Sequence, residues 1–220
     1  MPNIVIIVLA IILMAGLLRF EKRGNRKGLV PTKTALSLLF IIAAIVQPHP
    51  FPSYFHLLLV GLIFCLGGDV FLAFPQKRAF LLGLISFLVG HIVYIVAFFS
   101  AAEIGQWTWI GSLVVIVISG WVYVWLKPHL GTMNIPVLVY IIVITAMLGG
   151  AWSILGDSSL RLTGRVMVFG GAALFYFSDI FVARDRFFKS EFFNRLVGLP
   201  MYYAGQFLLA FSVGVLLQLD

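Results

Sequence analysis

The chain has 220 residues, 62% of them hydrophobic and 10% charged, and a mean hydropathy of +1.10. A water-soluble domain carries only about 45–50% apolar residues with glycine counted, so a soluble globular protein is excluded. Eight spans of about 20 residues would use roughly 160 positions, which leaves no room for a sizeable domain outside the membrane. The net charge of +7 then reads as basic loops kept in the cytoplasm, and nucleic acid is not an expected partner.

Apolar runs of helical length, cut by charged or Pro-containing breaks, predict an all-α polytopic membrane protein. It forms a single integral membrane domain over residues 1–220, with eight transmembrane helices near 3–20, 32–48, 55–74, 79–98, 107–126, 134–152, 164–183 and 198–217. Barrel strands would alternate polar and apolar residues, and these runs do not. The first segment starts uncharged and carries its positive charge afterwards, the reverse of a secretory signal, so it is expected to be a retained span. Cys65 falls inside an apolar run, so neither an internal disulfide nor a cysteine metal cage is available.

Thirteen of the 15 Lys and Arg fall on the odd-numbered connections and their flanks, and only Arg161 and Arg165 fall on the other side. The positive-inside rule therefore places both termini outside and the odd loops in the cytoplasm, as in a bacterial inner membrane. Asp69-Val70-Phe71-Leu72-Ala73 in the third span is matched by Asp179-Ile180-Phe181-Val182-Ala183 in the seventh. An offset of four spans keeps direction, which predicts a parallel internal repeat.

Asp69 and Asp179 are the only carboxylates inside the predicted spans, and each costs about 2.5–3.5 kcal/mol to place at a helix centre on insertion scales. Both sit near the cytoplasmic end of their span, about 6–8 Å deep at 1.5 Å per residue. Lys33, Ser178, Tyr202, Tyr203 and Gln206 are assigned to the same layer. His91 and Tyr94 share one face of the fourth span about 18 Å from its inner end, and Tyr140 lies between the two levels. Together they outline a polar pocket that opens to the cytoplasm and deepens to the midplane. Each has a plainer role open to it: the acids as a structural pair, His91 as a histidine bonded to a carbonyl, and the Tyr and Gln residues as interhelical glue.

Two carboxyls close together at low dielectric cannot both ionise cheaply, so the pair offers an acid and a base in one site. Such a pair could cleave an ether-like bond through an oxocarbenium ion, hydrolyse a peptide within the membrane, or relay protons in a transporter or lipid carrier. The peptidase reading fits poorly, because Leu66-Gly67-Gly68-Asp69 puts a glycine out of register with Gly-x-Gly-Asp and Phe177-Ser178-Asp179 replaces Tyr-Asp. The four histidines, His49, His56, His91 and His129, lack a close metal-ligand spacing.

Pro31-Thr32-Lys33, Gly68-Asp69, Gly90-His91-x-x-Tyr94, Pro136-x-x-x-Tyr140 with Met147, Ser178-Asp179 with Asp185-Arg186-Phe187, and Tyr202-Tyr203-Ala204-x-Gln206 together resemble the YhhN-like lysoplasmalogenases. Thr34 and Gly205 depart from that pattern, where Pro and Ala are usual, without removing a chemical group. The resemblance implies hydrolysis of the vinyl ether bond of a lysophospholipid, giving a fatty aldehyde and glycerophosphoethanolamine or glycerophosphocholine, with no metal or organic cofactor. On that basis Asp69 and Asp179 are the expected catalytic residues. Lys33, His91, Tyr94, Tyr140, Ser178, Tyr202, Tyr203 and Gln206 are the expected substrate-binding ones, with Lys33 and nearby basic residues on the phosphate.

Overall fold

A backbone in hydrocarbon has no water to satisfy its N–H and C=O groups, so apolar segments of this length fold as helices. The computed structural model describes residues 2–217 and contains no strand among them. Its helices are α1 (Pro2–Arg23), α2 (Arg26–Ile45), α3 (Pro52–Leu72), α4 (Lys77–Ala101), α5 (Gln106–Leu130), α6 (Asn134–Gly156), α7 (Leu162–Ala183) and α8 (Phe192–Ser212). A 3₁₀ turn, Gly131–Met133, joins α5 to α6, and a π-helical turn, Arg184–Phe188, follows α7.

Apolarity marks only the hydrocarbon-embedded part of each helix, and several helices run further. The second was expected from residue 32 and starts at Arg26, where the Asn25 side chain accepts from the Gly28 N–H at 3.3 Å. It passes through Pro31, near an end where water can solvate the carbonyl that loses its donor. The eighth was expected over 198–217 and instead spans Phe192–Ser212. By length and hydropathy α1 to α4, the continuous stretch Gln106–Gly156 holding α5 and α6, and the stretch containing α7 qualify as membrane crossings. Among the described residues that makes six such stretches, or seven helices with α5 and α6 counted separately; Asn194, Arg195, Tyr202, Tyr203 and Gln206 dilute α8.

Six helices close a ring in which each packs on the next: α2, α3, α4, α6, α7, α8 and back to α2. The α3–α4 and α7–α8 pairs are the most extensive. Helix α1 lies outside the ring against α2 and α8, and α5 lies outside it against α6 and the π turn. At the α7–α8 crossing two glycines face each other: a Cβ on Gly205 would stand 2.7 Å from the Gly171 carbonyl oxygen, and one on Gly171 would stand 2.8 Å from the Gly205 carbonyl oxygen. Position 205 therefore suits glycine here, and the close approach brings Tyr202 and Tyr203 into the ring.

Candidate active site

A cavity of about 580 Å³ occupies the ring at the end where the α1–α2, α3–α4 and α7–α8 connections lie, and Gly24, Pro75 and Arg186 line its mouth. Asp69 and Asp179 both line it, each from the last turn of its helix. With them stand Lys33, Tyr140, Ser178 and Tyr202.

The two acids have separate partners. Asp69 is only 1% exposed; its Oδ1 lies 3.1 Å from Lys33 Nζ, and its Oδ2 accepts from Ser37 Oγ at 2.6 Å and Tyr202 Oη at 2.7 Å. One ammonium and two hydroxyls are what a buried carboxylate anion requires. Asp179 keeps 18% of its side chain exposed, accepts one hydrogen bond, from Tyr140 Oη at 2.6 Å, and has His91 Nε2 at 4.0 Å. No hydrogen bond links the two carboxyls among the described residues. Asp69 is committed to a cation, and Asp179 presents a freer oxygen to the cavity.

Side-chain direction explains why His91 meets Asp179 despite its greater depth along the chain. In every helix the side chains tilt toward the N-terminus; α4 runs away from the mouth and α7 toward it, so their side chains converge. The His91 ring is fully buried, edge-on to Tyr140 at 5.3 Å and tilted over Phe175 at 4.5 Å, and neither of its nitrogens has a hydrogen-bond partner among the described residues.

Of the other expected residues, Ser178 lines the cavity, and Tyr94, Tyr203 and Gln206 stand behind it. Tyr203 Oη lies 3.3 Å from the Lys33 carbonyl it donates to and 3.2 Å from Ser37 Oγ. Tyr94 Oη donates to Gln206 Oε1 at 2.9 Å, and Ser178 Oγ donates to the Phe175 carbonyl at 2.7 Å. Tyr94, Tyr203, Gln206 and His91 are buried and do not line the cavity. The Tyr94–Gln206 hydrogen bond joins α4 to α8, and the Tyr203 hydroxyl joins α8 to α2.

Ser37 was not foreseen, although it lies four residues after Lys33 on the same face of α2, a spacing that could have found it. The basic residues at the mouth were read as topology signals and, near Lys33, as phosphate-holding groups without being named. There Arg195 pairs with Asp185 at 2.8 Å and Glu21 at 3.7 Å, and Arg184 pairs with Glu191 at 3.1 Å. Arg26 donates to the Ala73 carbonyl at 3.2 Å, and the Arg186 guanidinium lies 4.3 Å from the Phe80 ring centre. Neither has an acidic partner among the described residues, and both line the cavity. Among those residues no three His, Cys, Asp or Glu side chains gather as a metal site.

The family model described as "YhhN family" matches residues 29–213, which hold every lining group except Glu21, Gly24 and Arg26. The chain belongs to the YhhN family. Among its relatives, "Lysoplasmalogenase TMEM86A" of Bos taurus is 32% identical over 160 residues, covering 70% of this chain and 63% of its own. "Lysoplasmalogenase" of Mycobacterium tuberculosis is 29% identical over 177 residues, 76% of this chain and 63% of its own. "Lysoplasmalogenase TMEM86B" of Rattus norvegicus is 33% identical over 189 residues, 84% of this chain and 72% of its own. The match thus spans somewhat under two thirds of the bovine and mycobacterial relatives. No solved structure matches this YhhN chain.

Proposed function

We propose that this protein hydrolyses the vinyl ether bond of a lysoplasmalogen, a single-chain ether lipid, within the membrane. The observation that carries the reading is the placing of two unlike carboxyls, one ion-paired and one freer, on one cavity that is polar at its mouth and apolar beyond. The names of the family relatives supply the substrate class.

In the proposed mechanism Asp179 is the acid. Its carboxyl proton goes to the vinyl β-carbon, and the resulting oxocarbenium ion is stabilised by the negative charge of Asp69. Water adds to the carbon that bears the oxygen and returns a proton to Asp179. The hemiacetal then collapses, its hydroxyl proton passing to the departing glycerol oxygen, and leaves an aldehyde and an alcohol. Tyr140 orients Asp179. Lys33, Ser37 and Tyr202 keep Asp69 anionic. Because Lys33 is committed to Asp69, the phosphate falls to the guanidiniums of Arg26 and Arg186 at the mouth.

Eight spans with both termini outside would put the mouth on the cytoplasmic side, since it carries the basic connections. A parallel duplication is supported by the packing, in which the α3–α4, α2–α3 and α4–α6 contacts have counterparts in α7–α8, α6–α7 and α8–α2. It is supported as well by exchange across the halves, where α8 supplies Tyr202 to Asp69 and α4 brings His91 to Asp179.

The test is a comparison of vinyl ether, acyl and alkyl ether lysophospholipids with detergent-purified protein. Fatty aldehyde from the vinyl ether lipid alone is the expected result. A lipid carrier would release nothing from any of them, and an acyl hydrolase would release fatty acid.

A further inference from the structure

The three lining residues outside the stretch matched by the family model, Glu21, Gly24 and Arg26, all belong to the end of α1, the start of α2 and the turn between them. Gly24 takes a positive φ of 61°. Its N–H donates to the Glu21 carbonyl at 3.1 Å, and the Asn25 N–H donates to the Phe20 carbonyl at 3.0 Å, the paired bonds that close a glycine-ended helix. The turn thereby holds Glu21 in the last turn of α1 and Arg26 at the first position of α2.

From that turn the two charges part. Arg26 reaches the end of α3 at the Ala73 carbonyl, and Arg186 of the π turn lies on Phe80 of α4. Glu21 faces Arg195 of α8, whose close contact, at 2.8 Å, is with Asp185. Glu21 Oε1 therefore stands 3.7 Å from the Arg195 guanidinium, beyond hydrogen-bond range. With 17% of its side chain exposed, Glu21 is largely out of water and accepts no side-chain hydrogen bond among the described residues. A carboxylate so placed is costly without a close donor, and a cationic ligand would supply one. The α1–α8 side of the mouth thus sets two acids against one guanidinium, and the α3–α4 side sets two guanidiniums against none. That is the charge division of a zwitterion's partner.

We propose that Glu21 selects the head group by binding the primary ammonium of a phosphoethanolamine whose phosphate lies on Arg26 and Arg186. The proposal rests on the lysolipid reading above and adds which head group the site takes. A primary ammonium brings three N–H donors to a carboxylate. A trimethylammonium has none and depends on aromatic faces; among the described residues, the lining from α1 and α2 holds no aromatic ring, and Phe80 already carries Arg186. A phosphoglycerol head group brings no positive charge to Glu21.

The experiment measures binding of three alkyl-linked lysolipids, with ethanolamine, choline and glycerol head groups, to the full chain purified in detergent; vinyl ether hydrolysis consumes none of them. The wild type should bind the ethanolamine lipid about tenfold more tightly than the other two, a factor that one charge-assisted hydrogen bond supplies. Glu21→Gln should remove that preference and leave the choline and glycerol lipids unchanged. Arg195→Gln frees both acids and should keep the preference or raise it, whereas a Glu21 that serves only to pair with Arg195 would make the two variants alike. Equal wild-type binding of all three lipids, equal weakening of all three by Glu21→Gln, or loss of the preference in Arg195→Gln would overturn the proposal. Should Glu21→Gln fail to fold, the wild-type comparison and Arg195→Gln decide. An ethanolamine preference without any aldehyde from a vinyl ether lysolipid would support the head-group site and overturn the hydrolase reading. Aldehyde released with the same KM from vinyl ether lipids of all three head groups would do the reverse.

Discussion

Lys33 and Asp69 sit together where neither would be stable alone. An ion pair in a low-dielectric interior stands on the mutual compensation of two desolvated charges, and removing one partner of such a pair costs about 3–5 kcal/mol. Lys33→Met should therefore lower the thermal midpoint of the purified protein more than the double variant Lys33→Met/Asp69→Asn, in which no charge is left stranded. A midpoint for the double variant well below that of Lys33→Met would show that the pair does not couple. Tyr140 gives Asp179 its only hydrogen bond among the described residues. Tyr140→Phe should lower kcat with little change in KM, by about tenfold if that one hydrogen bond is worth about 1.5 kcal/mol; a rise in KM alone would place Tyr140 in binding. These residues were largely legible in the sequence, because a charge or a tyrosine inside an apolar helix stands out against its surroundings. Their pairing was not, since Lys33–Asp69 joins two helices and depends on side-chain direction.

Helix ends and crossings obey rules that hydropathy alone does not carry. The spans were read short because apolarity stops at the interface while the hydrogen-bonded helix continues into it, as α2 does from Arg26 and α8 from Phe192. The α7–α8 crossing depends on the absence of a side chain, which no apolar count registers. Gly205→Val places a branched side chain where the first carbon alone would stand 2.7 Å from the Gly171 carbonyl oxygen. Overpacking of this kind typically costs about 1–3 kcal/mol. The expected outcome is a lower thermal midpoint together with lost activity, since Tyr202 rides on the same helix; an unchanged midpoint would mean that the two helices separate freely.

The molecule as a whole is a ring of six helices with two outriders, and its charge is distributed by end. Thirteen of its 15 Lys and Arg lie on or beside one set of connections, and the proposed orientation rests on that count alone, whereas the ring had no such signal. Closure of the ring depends on α2 meeting α8 and α4 meeting α6, contacts between segments remote in sequence that leave no periodic trace. The proposed orientation predicts that a cysteine at Lys77, in a Cys65→Ala background, reacts with an impermeant maleimide only after the inner face is exposed, whereas one at Ser158 reacts from outside. The reverse pattern would invert the topology and place the mouth outside.

The central claim is that two carboxyls on one cavity perform the hydrolysis with unlike roles, and fatty aldehyde release by purified wild-type, Asp179→Asn and Asp69→Asn proteins from a vinyl ether lysolipid tests it most directly. Loss of the positioned acid should reduce kcat by about 10²–10⁴-fold in Asp179→Asn. Asp69→Asn should lose activity as well, with both variants still eluting as folded protein. Full aldehyde release by either variant would contradict the account.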